Sequence, residues 1–197
     1  MISYRSSPVG LAVVTGATSV LGLDVARYLG ARGFELLLVA EDPGVDFVAR
    51  ALRADGIDAE PVQADVATVH GVEMVHAAVV ARGVRLEVLV LNPGPGVGGP
   101  FLRTSLDADI DMIKLNCISV IHLAKRLLPA MVTARSGQVL ITSPADPETP
   151  ELCEAVYMGT KAFLLSFSHA IRHELKYSGV TVTALQPGLA NNIASVG

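Results

Sequence analysis

The chain has 197 residues, 51% of them apolar and only 17% charged, with a formal net charge of −4. A chain of this length fits one domain that buries roughly 70% of the surface its unfolded form exposes, so no disulfide or metal staple is required. The acidic balance and the lack of any Lys/Arg cluster argue against a nucleic-acid backbone as partner, since no basic field exists to replace its counterions.

Short apolar runs alternate with longer amphipathic stretches along the whole chain. That alternation predicts a parallel sheet with helices on both faces. Strands are predicted at Leu11 to Val14, Leu36 to Val39, Glu60 to Gln63, Leu86 to Leu91, Gln138 to Thr142 and Val180 to Leu185. Helices are predicted at Leu21 to Arg32, Val45 to Asp55, Val69 to Arg82, Leu106 to Val132 and Cys153 to Tyr177. Each helix is followed by a glycine or a turn cluster that returns the chain to the sheet, as at Gly33, Gly56, Gly83, Gly137 and Gly179. The segment Asn92 to Pro100 is too rich in Gly and Pro for helix or central strand. The expectation is an α/β fold: a single-domain, Rossmann-like, doubly wound parallel sheet over 1–197, with six strands visible, a seventh missing and the C-terminal region short.

Two features carry chemistry. The first strand runs through Thr15, Gly16, Ala17, Thr18, Ser19, Val20, Leu21 and Gly22 into a helix, which aims backbone N–H groups at whatever lies above the turn and makes a pyrophosphate cradle by position. Further on, Tyr157 and Lys161 stand one helical turn apart, so phenol and ammonium share a face. A free tyrosine ionises near pH ~10, and a fixed cation beside it favours the phenolate, which makes the pair a plausible acid/base device.

Other residues are less informative. Cys117 and Cys153 have no metal-type spacing and read as small core hydrophobes. His169 and His173 have the spacing of a metal pair but no third ligand in view, and read as a surface or interface face, so no metal is expected. Met1 to Pro8 lacks the apolar core of a signal peptide and no run approaches the ~20 apolar residues of a membrane span, so a cytoplasmic protein without membrane contact is expected.

Taken in order, these residues give the chain a likeness over nearly its whole length: it resembles the short-chain dehydrogenase/reductase family, in its shorter branch. The family's glycine-rich turn corresponds to Thr15 through Gly22, its Asp-Val pair to Asp65 and Val66, its Asn-Ala-Gly to Asn92, Pro93 and Gly94, and its Pro-Gly to Pro187 and Gly188. Its helix asparagine corresponds to Asn116, its catalytic serine to Ser143, and its Tyr-x-x-x-Lys pair to Tyr157 and Lys161. The resemblance implies reversible hydride transfer between NAD(H) or NADP(H) and a small-molecule alcohol or ketone. Tyr157 would be the acid/base; Lys161 would lower its pKa and hold the nicotinamide ribose; Ser143 would bind the substrate oxygen; and Asn116 would hold a water. The long helix and the Tyr157 helix would suit a homodimer or homotetramer.

Four departures qualify the likeness. Val20 replaces a small residue and is expected to crowd the pyrophosphate. Pro93 removes one N–H and stiffens its loop. After the second strand Ala40 and Glu41 occupy the positions of the cofactor-selecting Asp and Arg; with Asp42 they present two carboxylates to a 2′-phosphate, which favours NAD. The chain stops nine residues after Gly188, and Asn192 stands where the family often has Thr, so the substrate is unreadable. The rival reading is a catalytically silent nucleotide-binding or interaction protein on the same scaffold. A sugar-nucleotide epimerase or dehydratase would need Gly where Ser19 stands and a larger C-terminal domain.

Overall fold

The structure, a computed structural model, describes residues 9–94, 96, 99–143 and 154–185. Its strands are β1 (Leu11–Thr15), β2 (Glu35–Ala40), β3 (Ala59–Gln63), β4 (Leu86–Leu91), β5 (Gly137–Thr142) and β6 (Val180–Leu185). They form one parallel sheet in the order β3-β2-β1-β4-β5-β6. The helices are α1 (Val20–Gly30), α2 (Gly44–Ala54), α3 (Val69–Arg82), α4 (Leu106–Ile113), α5 (Ser119–Ala134) and α6 (Ala155–Glu174).

The central strands β1 and β4 are apolar except at Thr15 and Glu87 because both faces of the sheet are buried. Alternate side chains divide between two cores. Leu11, Val13, Leu37, Leu89 and Ile141 meet Val72 and Val75 of α3, Leu123 and Leu127 of α5 and Leu164 of α6. Ala12, Val14, Leu36, Leu38 and Val90 meet Ala26 and Leu29 of α1 and Val45 and Leu52 of α2. The doubly wound reading is therefore correct. The glycines that follow α1, α2, α3 and precede β6 take left-handed backbone, with φ of 86° at Gly33, 83° at Gly56, 62° at Gly83 and 85° at Gly179.

β1 pairs with β2 on one side and β4 on the other, so the strand order reverses between β1 and β4. In an open α/β sheet that reversal opens a crevice at the strand C-termini, where ligands bind.

The helix predicted from Leu106 to Val132 differs from what folds. It is broken into α4 and α5 by a π-helical segment, Lys114–Ile118, that carries the buried Asn116 and Cys117. A π turn admits one extra residue without interrupting the apolar run, so hydropathy does not reveal it. The whole stretch Leu106–Ala134 is 29 residues with a mean hydropathy of 1.3 in its most apolar window, long and apolar enough to cross a membrane by length and composition, contrary to the sequence reading. Its buried side, including Val120, Leu123, Leu127 and Met131, packs on the sheet. The Tyr157 helix begins at Ala155; Cys153, Pro187, Gly188, Asn192 and any further strand lie outside the described residues.

Candidate active site

The strand C-termini converge on Asn92, the residue after β4. Its backbone N–H donates to Thr15 Oγ1 (2.9 Å), and Thr15 donates in turn to the Val90 carbonyl (3.2 Å). Asn92 Nδ2 donates to the Gly16 carbonyl (3.3 Å) and to Ser19 Oγ (3.0 Å), while its Oδ1 accepts from Thr142 Oγ1 (2.7 Å). One amide thus holds the β1 turn, the end of β4 and the end of β5 in fixed relation.

The turn after β1 is shaped by two glycines. Gly16 has φ 61°, and a Cβ there would stand 2.6 Å from the Asn92 carbonyl; a Cβ on Gly22 would overlap the Gly16 carbonyl. Ser19 caps α1, accepting from Gly22 N–H (3.0 Å). The capping explains Ser at this position without any special function. Val20 is 82% exposed, so its methyls project into solvent instead of filling the turn, and it lines neither lobe of the cleft described next.

Two lobes share Gly16, Thr18, Asn92, Pro93 and Gly94 as walls and so form one continuous cleft along the strand ends. The first, of about 210 Å³, extends past Glu41, Asp65 and Val66. The second, of about 400 Å³, extends past Leu21, Thr142, Tyr157 and Lys161. An elongated cleft with a helix N-terminus at its middle and separate polar groups at each end fits a dinucleotide. Both acidic residues after β2, Glu41 and Asp42, border the first lobe. Asp42 Oδ1 accepts from Gly44 N–H (2.7 Å) at the start of α2, so its carboxylate serves the helix. Asp65 Oδ1 accepts from Ala67 N–H (2.9 Å) in a local turn.

The catalytic candidates gather at the second lobe. Lys161 Nζ lies 4.8 Å from the centre of the Tyr157 ring and donates to the Gly94 carbonyl (3.5 Å). A Cβ on Gly96 would come within 2.5 Å of the Tyr157 ring, so the β4 loop lies flat against the phenol. Ser143 is buried, but its hydroxyl donates to the Lys161 carbonyl (3.3 Å) and does not line the lobe; Thr142 lines it instead. Asn116 is fully buried, its Nδ2 donating to Thr160 Oγ1 (3.2 Å), and its Oδ1 has no hydrogen-bond partner among the described residues. Sequence reasoning missed Thr142, Thr160 and Gly96. Thr160 adjoins Lys161 in sequence, and that adjacency is the only signal it gives.

Lys161 is 4% exposed, and burial pulls its ammonium down to about 8, partly offset by the Cys117 thiol; burial pushes that thiol up, and the lysine opposes the shift. At neutral pH the lysine is still mostly cationic, a charge held in a site that penalises it.

A profile of the family described as short chain dehydrogenase matches residues 10–194. A putative ketoacyl reductase of Streptomyces coelicolor is 32% identical over 181 residues, which cover 90% of this chain and 69% of the relative. Two solved structures share the fold closely. A metagenomic short-chain oxidoreductase in complex with NADP has a TM-score of 0.83 at 30% identity, over 90% of this chain and 81% of that one. An actinorhodin polyketide ketoreductase with NADPH has a TM-score of 0.85 at 28% identity, over 94% of this chain and 76% of that one.

The buried cation yields a stability prediction with a definite sign. The folded pKa lies below the unfolded one, so between about 8 and 10.5 the unfolded chain binds more protons and stability rises with pH; below about 8 the full cost of burial is present. Lys161→Met should therefore melt above the parent protein at pH 7. The gap should narrow as pH climbs from 8 to 10, followed by calorimetric melting of the two proteins in parallel.

Proposed function

Because the chain belongs to the short-chain dehydrogenase family, we propose that Tyr157, Lys161, Asn116 and Ser143 are its catalytic groups and that Thr15 to Gly22, Glu41, Asp65, Val66, Asn92 and Gly94 hold its cofactor. The protein is an NAD(P)-dependent oxidoreductase acting on CH–OH or C=O groups. The observation that carries the residue assignment is the meeting of the Tyr157 ring and the buried Lys161 ammonium at one end of a cleft whose other end is lined by Glu41 and Asp65. The comparisons lend no support to a silent scaffold.

When bound, a nicotinamide supplies or takes the hydride. Everything else falls to the chain. In reduction Tyr157 donates its phenolic proton to the oxygen that gains charge, and in oxidation it takes that proton back. The Lys161 cation stabilises the phenolate left behind, and burial strengthens that interaction by excluding water. The absence of a side chain at Gly96 lets the loop after β4 pack against the Tyr157 ring, and Asn92 keeps the Gly16 turn in register with β4 and β5, so the phenol and the β1 turn share one frame. Thr142 and Ser143 offer hydroxyls at the end of β5; the likeness to a putative ketoacyl reductase supports a ketone as the physiological substrate class, with Ser143 as its oxygen ligand once it turns from the Lys161 carbonyl.

Cofactor choice rests on Glu41. Its carboxylate at the first lobe disfavours a 2′-phosphate and supports NAD, whereas the similar solved structures hold NADP and NADPH, so the comparisons do not favour NAD. Self-association is supported by the groove between α5 and α6, about 410 Å³, whose walls include Ile121, Leu128, Val132, Phe167 and Ala170. An apolar groove between two long helices suits pairing with its own copy about a two-fold axis. The same packing of α5 on the sheet supports a protein without membrane contact, in the cytoplasm.

Three measurements test these assignments. Titration calorimetry should detect NADH or NADPH with the parent protein; Tyr157→Phe should bind the same cofactor within about twofold while losing turnover of a panel of β-keto esters by about a thousandfold or more. Glu41→Arg should raise NADPH affinity relative to NADH by about tenfold, and an unchanged ratio would remove Glu41 from recognition. Ala170→Arg should shift the sedimenting species towards monomer with the circular dichroism spectrum unchanged.

A further inference from the structure

Thr160 lies between Asn116 and Tyr157 and belongs to neither the cofactor cradle nor the acid/base pair. It is 3% exposed, on α6, with its hydroxyl 2.7 Å from the Tyr157 carbonyl and 3.2 Å from Asn116 Nδ2. A hydroxyl has a single proton to donate. Thr160 spends it on the Tyr157 carbonyl, so towards Asn116 it can only accept.

That accounting fixes the orientation of a buried amide. Asn116 must present Nδ2 to Thr160, which turns Oδ1 to the opposite side. There Oδ1 lies near Gly94, 3.9 Å from where a Cβ on that glycine would stand, and the Gly94 carbonyl is the acceptor for Lys161 Nζ. Reversing the amide would turn two N–H donors towards Gly94, whose carbonyl already holds the Lys161 ammonium, and leave the Thr160 oxygen facing another acceptor. In a buried site each of those mismatches leaves a polar group desolvated without compensation, which disfavours the reversed amide. As it stands, Oδ1 is an acceptor with no partner among the described residues, beside the glycine whose carbonyl accepts from the cation.

We infer that Thr160 is a positioning residue: its committed hydroxyl locks the Asn116 amide so that an acceptor oxygen, and not an N–H, faces the Lys161 side of the site. The lock stabilises the charged lysine, directly or through a water held by Oδ1, and so keeps a cation beside Tyr157. Among the described residues the other titratable groups against Lys161 are Tyr157 on its own helix and Cys117 on the π-helical segment, and neither can accept strongly while protonated. The functional meaning of the lock rests on the oxidoreductase reading above, but its operation does not, and it is measurable in the cofactor-free protein.

The test compares Thr160→Val, which keeps the shape and removes the hydroxyl, with Thr160→Ser, which keeps the hydroxyl. The Lys161 ¹³Cε resonance, assigned through Lys161→Met, is followed against pH without cofactor or substrate. In Thr160→Val the midpoint should fall by about half a unit or more, and the protected Asn116 side-chain N–H signals should be lost; Thr160→Ser should match the parent in both. On a β-keto ester that the parent reduces, Thr160→Val should lose about tenfold in kcat at pH 7 with KM little changed, and Thr160→Ser should restore it. A folded Thr160→Val protein with an unmoved Lys161 midpoint, or with parental kcat, overturns the inference. Failure of the parent to bind either nicotinamide cofactor would instead overturn the oxidoreductase reading and leave the titration result standing.

Discussion

The site depends on one saturated side chain. Asn92 emerges from β4 at the point where the strand order reverses, and its amide uses both of its ends: Nδ2 on the β1 turn, Oδ1 on Thr142 at the end of β5. Parallel strands are otherwise joined only by ladders within the sheet, and beyond the last ladder bond nothing fixes one strand end relative to the next. The cleft is made of those ends. A buried network whose members are all satisfied specifies a single arrangement, whereas an apolar residue at position 92 would leave the Gly16 carbonyl and Thr142 to find partners separately. That is why the turn that shapes one lobe and the strand that leads to Tyr157 keep a common frame.

Within that frame the protein carries a deliberate cost. Lys161 is removed from water by the β4 loop and the π-helical segment, and its acceptor among the described residues is the Gly94 carbonyl at 3.5 Å, at the weak limit of a hydrogen bond. Among the described residues no carboxylate pairs with it. A carboxylate would relieve the penalty but would also compete with a phenolate for the cation, so electrostatic support for Tyr157 requires the lysine to remain under-satisfied. The stability sacrificed and the chemistry gained have the same physical origin, which is the low dielectric around one ammonium.

Much of this was legible in the sequence because it follows local rules. Strands buried on both faces read as unbroken apolar runs, and the glycines that end helices were readable because left-handed backbone leaves little alternative. Tyr157 and Lys161 could be paired from spacing alone, since a helix puts residues four apart on one face. What could not be read are features fixed by tertiary contact. The π turn at Lys114–Ile118 leaves no mark on hydropathy, the capping role of Asp42 depends on where α2 starts, and the outward course of Val20 depends on how α1 leaves the turn. Ser143 was identified by likeness as a substrate ligand, yet its hydroxyl is turned to the Lys161 backbone, a rotamer that sequence cannot specify.

The positions that break local rules are not scattered. A π turn within a long helix, a fully buried amide oxygen and a buried cation that have no hydrogen-bonded or carboxylate partner, respectively, among the described residues, and a glycine pressed on an aromatic ring all lie around the second lobe. At the opposite end of the sheet charges are paired instead: Arg82 at the end of α3 is met by Glu35, Asp58 and Glu60. Natural sequences keep local and global preferences consistent except where function demands otherwise. The gathering of a π turn, a buried amide oxygen without a partner among the described residues and a buried cation beside Tyr157 therefore marks the same place as the family likeness by an argument that makes no use of relatives.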